Sequence, residues 1–214
     1  MRSVTISSRQ GGAHLSLRYA LLALLTAQPM TGYDLARAFH SSVGHVWHAP
    51  DSQIYPELRR MQSDGLLHGE LVTWGQRGVK TQYSITDEGI ADLREWMAKP
   101  IAYTPERDPA HLRAAYLEWT DPAAARAQLE QHAAHYRELR DQRRGQLESI
   151  RDRSHPIVAR RLEAAPESDW RRITAFKEFP YEGLVGQAER EIEWAERGLR
   201  LIDDLSTGDP TRWD

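Results

Sequence analysis

Leu17, Leu21, Leu24 and Leu25 share one face at helical spacing, so a first helix is expected from about Leu15 to Thr26. Gln28-Pro29 ends it, because proline disfavours helix in the residue before it. A second helix starts at Thr31, where Asp34 three residues on completes a capping box in which each side chain satisfies a free amide. It runs through Leu35, Ala36 and Phe39 to about Ser41, and Gly32 beside the cap lets backbone approach a neighbour closely. The third helix covers about Ser52 to Ser63, with Ile54, Leu58 and Met61 in one narrow apolar arc. Its opposite side carries Ser52, Pro56, Arg59 and Ser63, flanked by Tyr55 and Arg60. Pro56 falls near the first turn, where a missing amide costs least, and Asp64-Gly65 stops the helix.

The period then changes to that of a hairpin, with strands over Leu66 to Trp74 and Lys80 to Ile85 and a loop Gly75-Gln76-Arg77-Gly78 between them. Thr86 with Asp87 and Glu88 caps a fourth helix, whose apolar positions are Ile90, Leu93, Trp96 and Met97 and which Lys99-Pro100 closes. Three helices, a hairpin and a helix are the order of a winged helix-turn-helix. Beyond about Ile101 to Arg107 the chain turns to helix formers. Asp108-Pro109 opens a short helix to about Trp119, and Asp121-Pro122 opens a long one to about Arg153. Leu129, Tyr136, Leu139 and Ile150 form a sparse seam along the long helix, interrupted by His132 and Arg143. Between His155 and Pro180 no motif fixes the layout, and Pro180 with Gly183 is expected to break or kink any continuous helix. The last helix, about Tyr181 to Leu205, carries one stripe of Val185, Ala188, Ile192, Ala195, Leu199 and Ile202 and a second of Trp194, Leu201 and Leu205. A helix apolar on two sides needs two surfaces to pack on, either both within its own chain or one on a second subunit.

Composition narrows the class. Hydrophobic residues are 40% and charged residues 28% of the 214, an ordinary globular balance, and the seven tryptophans suit cores and interfaces. The absence of cysteine excludes disulfides, thiolate zinc sites and cysteine redox sensing and fits a reducing cytoplasm. The opening MRSVTISSRQGGAH is polar and lacks the apolar stretch of a signal peptide, and the longest apolar run, Tyr19 to Thr26, is too short for a membrane span. A cytoplasmic location is therefore expected. The formal net charge of −3 does not advertise nucleic-acid binding, so any such contact must come from locally placed Arg and Lys.

Several stretches carry a resemblance. They are Leu22-Leu24-Leu25 before Met30-Thr31-Gly32-Tyr33-Asp34-Leu35, then Gln53-Ile54-Tyr55-Pro56-Glu57-Leu58-Arg59-Arg60-Met61, and Asp64-Gly65-Leu66-Leu67. Arg77 through Gly89, with Tyr83, Thr86 and Gly89 in register, completes them. Together they resemble the PadR family of bacterial transcriptional regulators over about two-fifths of the chain, Leu15 to Pro100. The C-terminal half is more weakly similar to the helical domain of the longer PadR proteins, which are related to virulence-gene activators; Trp194 is the best local match. The resemblance implies that Tyr33, Ser52, Gln53, Tyr55, Arg59 and Arg60 face double-stranded DNA, with Arg77 and Lys80 on the wing. The same residues are the outward polar positions of the pattern, and Arg and Lys neutralise phosphates. It also implies a homodimer held by C-terminal helices, with Leu184, Ala188, Ile192, Trp194, Ala195, Leu199, Leu201 and Ile202 as candidate contacts.

The expected fold is mainly α (α+β): an N-terminal winged helix-turn-helix plus a C-terminal helical dimerisation domain. The segments are a flexible tail 1–14, a DNA-binding domain 15–100, a linker 101–107, a helical dimerisation and effector domain 108–205, and a tail 206–214. His45 with His48, and His132 with His135, have a metal-compatible spacing but no evident third ligand, so no metal, cofactor or enzyme activity is expected. Tyr116, Trp119, Tyr136, Trp170, Phe176, Phe179 and Tyr181 could line a pocket for a small aromatic effector, although aromatics at helical spacing are more often core. The expected activity is an inverted-repeat DNA-binding repressor. The alternative is a winged-helix protein-interaction module with weak DNA binding, which the acidic residues Asp51, Glu57, Asp64 and Glu70 favour.

Overall fold

The computed structural model describes residues 8–42, 49–74, 78–101, 103 and 107–206. They form two compact units, one of 1–101 with 156–168 and one of 102–155 with 169–214. The element order of the first unit is α1 (Ser8–Leu25), β1 (Met30–Thr31), α2 (Gly32–Ser41), α3 (Asp51–Ser63), β2 (Leu67–Trp74), β3 (Gly78–Ile85) and α4 (Asp87–Ala98). A later helix, α7 (Pro156–Glu163), joins it. α1 starts at Ser8, inside the stretch expected to be a flexible tail.

The core is one cluster in which Leu17, Leu21, Leu22, Leu35, Phe39, Ile54, Leu58 and Met61 lie fully out of water. The expected apolar faces of the first three helices therefore meet. α3 ends in a Schellman motif: the Leu66 amide reaches the Met61 carbonyl at 2.9 Å and the Gly65 amide the Gln62 carbonyl at 3.1 Å, around Gly65 at φ +76°. This turns the chain into β2 with Leu66 and Leu67 buried. β2 and β3 pair antiparallel from Leu67↔Ile85 to Trp74↔Gly78. The two-residue β1, which the periodicity does not reveal, adds to the other side of β3 through Met30↔Tyr83 and Thr31↔Gln82.

Thr31 does cap α2, accepting the Asp34 amide at 3.2 Å, but the reciprocal bond differs from the expectation. The Asp34 carboxylate accepts from the Thr31 hydroxyl at 2.7 Å, because aspartate is a methylene shorter than the glutamate of a full capping box. α3 starts at Asp51, so Pro56 sits in its second turn and the Ser52 carbonyl loses its helical donor. α4 begins as expected at Thr86, whose side chain accepts the Gly89 amide at 3.1 Å and donates to the Gly65 carbonyl at 2.8 Å. At Gly89 a Cβ would fall 2.3 Å from the Leu66 carbonyl oxygen, so no side chain fits there.

α7 lies in the stretch between His155 and Pro180 that no sequence motif assigns. Val158 and Leu162 are buried, Ile157 packs on the first unit's core, and the Arg161 guanidinium donates to the Thr26 hydroxyl. The division expected between 15–100 and 108–205 is thus not contiguous, since 156–168 belongs with the first unit.

The second unit contains α5 (Pro109–Ala114), a short 3-10 turn (Leu117–Trp119), α6 (Pro122–Arg151) and most of α8 (Glu167–Ser206). Asp108 and Asp121 cap α5 and α6 with proline next, as the sequence indicates. The expected break at Pro180 and Gly183 does not occur: α8 is continuous from Glu167. Proline removes one amide and Gly183 costs only propensity, while the neighbouring Tyr181 is buried and anchors the helix there. Among the described residues, no helix is long and apolar enough to cross a membrane.

Candidate nucleic-acid interface

With Ile54, Leu58 and Met61 pinned in the core, the rest of α3 is obliged to face outward. Ser52, Gln53, Tyr55, Arg59 and Arg60 are all exposed. The Tyr55 ring lies across the start of α2, so close that a Cβ on Gly32 would come within 3.1 Å of it. Gly32 is therefore a packing glycine. Beside it Tyr33 is 56% exposed, and the Lys80 ammonium of β3 sits 5.1 Å from its ring centroid. The structure thus gathers Tyr33 and Tyr55 from α2 and α3 beside Lys80 from the hairpin. Arg77, His45 and His48 lie outside the described residues.

Arg59 and Arg60 differ in their surroundings. Arg59 forms no ion pair among the described residues. Arg60, half exposed, donates from Nη1 to Glu57 at 2.9 Å. Glu57 itself is only 2% exposed and also accepts from Arg18 Nε of α1 at 3.0 Å, while Arg18 Nη2 reaches Asp64 at 2.7 Å. Burial alone would push the Arg18 guanidinium down, but the hydrogen bonds to Glu57 and Asp64 outweigh it and raise its pKa. The sequence placed Glu57 among surface acids. Its position three after Ile54 and next to Leu58 puts it on the buried flank, and a carboxylate there must be paired. Asp51 pairs with His40 at 2.7 Å, so three of the four acids around α3 have basic partners. Within this chain of negative net charge, Arg18 and Arg60 thus offset the acidic charge of Glu57 and Asp64 on and beside α3.

The apolar residues of α8 fall into three classes of exposure. Ala188, Ile192 and Ala195 are buried within the second unit, and Leu184, Trp194, Leu199 and Ile202 are partly buried. Leu201 and Leu205 are exposed. Trp194 is held between two histidines: His111 stacks on it at 4.0 Å and His132 meets it edge-on at 5.0 Å. His132 pairs with Glu191 at 3.0 Å, and His111 Nδ1 lies 2.7 Å from Asp108. A cavity of about 480 Å³ opens beside them, lined by Arg113, Gln128, Gln131, His132, His135 and Trp194 among others. Of the aromatics expected to line a pocket, Tyr116 and Trp119 share a smaller cavity of about 320 Å³, whereas Phe176 and Phe179 point to solvent and Tyr181 is buried.

Residues 21–95 match the Transcriptional regulator PadR-like family. The chain is 36% identical over 90 residues to the Negative transcriptional regulator PadR of Bacillus subtilis, covering 41% of this chain and 50% of that one. It spans about half the length of the curated relatives it matches. Among solved structures it is similar to Bacillus subtilis PadR in complex with operator DNA, with a TM-score of 0.70, 22% identity and coverage of 87% of this chain and 97% of that one. The same protein in complex with p-coumaric acid gives 0.65 at 23% identity, covering 89% and 97%. The Vibrio cholerae virulence activator AphA gives 0.62 at 22%, covering 88% and 99%. At these identities the structural likeness establishes the fold: a winged helix-turn-helix followed by a helical region.

Proposed function

We propose that this chain, whose residues 21–95 match the PadR-like family of transcriptional regulators, binds duplex DNA as a homodimer and represses transcription. The observation that carries the reading is the outward face of α3. A rigid helix locked by three fully buried side chains presents Ser52, Gln53, Tyr55, Arg59 and Arg60 beside Lys80 of the hairpin. A helix so presented suits the major groove, with the hairpin on the backbone. Arg59 and Lys80 supply phosphate contacts and Gln53 and Ser52 supply base-edge contacts; Arg77, which the sequence pattern also assigns to phosphate, lies outside the described residues. Repression is supported by the negative regulator among the relatives.

The dimer rests on the second unit, where Leu201 and Leu205 stay exposed on a helix whose other side is already packed. Two copies would place two α3 helices on an inverted repeat about one helical turn apart. Control by a small aromatic molecule is part of the same reading, supported by the p-coumaric acid complex of the Bacillus protein and by the cavity that Trp194 and Arg113 line. The protein-interaction alternative loses its main support, because Glu57, Asp64 and Asp51 are engaged with Arg18, Arg60 and His40. The test is selection of a duplex from a randomised pool, followed by fluorescence anisotropy on that duplex and on a scrambled one across a salt series. Preferential binding that weakens steeply with salt is expected; equal, feeble binding to both would refute the proposal.

A further inference from the structure

Glu57 is the one buried carboxylate among the described core residues, and it holds two guanidinium groups at once. Arg18 anchors it from α1 and is itself fixed at its other end by Asp64. Arg60, one turn further along α3, is clamped through a single nitrogen, Nη1, while its side chain remains 52% exposed. A free surface arginine samples many rotamers and loses that freedom when it binds. One held by a buried carboxylate has lost much of it beforehand, and its remaining N–H groups form a fork of set direction. Arg59, next to it, lacks such a clamp among the described residues. The two adjacent arginines are therefore prepared differently: one mobile cation for phosphate, one oriented fork.

We propose that Glu57 is a specificity-determining positioning residue, which orients Arg60 for bidentate recognition of a guanine edge at the flank of the α3 footprint. The inference rests on the DNA-binding reading and deepens it. A fork held at a fixed angle matches the paired O6 and N7 acceptors of guanine, which neither a phosphate nor a pyrimidine edge presents in that form. Arg18 and Asp64 extend the clamp to α1 and to the end of α3, so the fork is referred to the core and not to solvent.

The full chain, the duplex it enriches from a randomised pool and a scrambled duplex suffice for the test. The ratio of the two affinities is the readout, with thermal melting as the check of folding. R60A lowers that ratio about tenfold or more. E57Q, which keeps shape but removes the charge, lowers it roughly two- to tenfold and leaves binding to the scrambled duplex equal or tighter. In the R60A background E57Q changes the ratio no further, since the two act through one contact. E57D keeps the buried charge but draws it back a methylene, and gives the same loss of ratio should E57Q melt. Replacing the critical guanine by 7-deazaguanine weakens the wild type and not R60A. A folded E57Q or E57D with an unchanged ratio, or with both duplexes weakened in proportion, overturns the proposal. Failure of the wild type to prefer its enriched duplex would instead sink the DNA-binding reading, and this inference with it.

Discussion

The two units solve the same problem, burying apolar surface between helices, with very different materials. In the first, large side chains such as Phe39, Leu35, Ile54 and Met61 close into one cluster on three helices and a small sheet. In the second, the buried positions of α6 and α8 are few and include Ala125, Ala133, Ala188 and Ala195. Ion pairs accompany that thin seam: Arg126 with Asp203, Arg137 with Glu196 at 2.6 Å, Arg144 with Glu189 at 2.5 Å, and Arg151 with Glu178 and Glu182. Exposed pairs of this kind contribute little, typically below about 1 kcal/mol each. The first unit therefore fixes a rigid face by packing. The second keeps exposed leucines, tyrosine and tryptophan at Leu112, Tyr116, Trp119 and Leu205, which suits a surface completed by a second copy.

Substitutions should separate the two materials. Leu58→Ala, at a fully buried position on α3, is expected to cost about 2–5 kcal/mol in urea melts; a cost under about 1 kcal/mol would mean that the core is looser than its burial indicates. A pair of glycines sharpens the contrast. At Gly89 a Cβ would meet backbone, the Leu66 carbonyl, so Gly89→Ala is expected to destabilise by about 1–3 kcal/mol. At Gly198 it would meet only the Leu129 side-chain end at 2.8 Å. There the roughly 1 kcal/mol gained from helix propensity offsets the crowding, and Gly198→Ala should be near neutral. Arg144→Ala is expected to cost below about 1 kcal/mol, and the loss should shrink as salt is added. Equal and large costs for Gly198→Ala and Gly89→Ala would erase the distinction between the units.

The smallest effect is set by pH. The backbone amide of His111, and then its side chain, hold the Asp108 carboxyl below its usual range. A lowered folded pKa means that this contribution is present above the unfolded value and is lost as pH falls through the folded one. Acidification should therefore loosen α5 and change Trp194 fluorescence through the His111 stack, and Asp108→Asn should abolish that acid transition. A transition of the same midpoint in Asp108→Asn would assign it to another group.

Much of the first unit was legible because its signals are local. Leu17 to Leu25, Thr31, Pro56 to Gly65 and Thr86 each announce a face, a cap or a stop within one or two turns. Legibility failed where the cause is distant. β1 exists only because β3 is beside it, and Met30-Thr31 carries no strand period of its own. For α7 no local motif fixes the layout, and Ile157 packs on a core whose members, from Leu17 to Leu93, all lie far earlier in the sequence. Glu57 is a charged residue whose arc position nevertheless turns it inward, and its partner Arg18 lies 39 residues earlier. At Pro180 a single breaker is outweighed by the rest of a 40-residue helix.

The central claim is that the outward face of α3 reads DNA, and the most direct measurement is the salt dependence of duplex binding for Arg59→Ala and Gln53→Ala beside the wild type. Arg59→Ala is expected to weaken both the enriched and the scrambled duplex and to reduce the slope of log affinity against log salt by about one. Gln53→Ala should lower only the preference between them, by roughly five- to a hundredfold. Folded variants that bind both duplexes as the wild type does would contradict it, and would move the contact surface off α3.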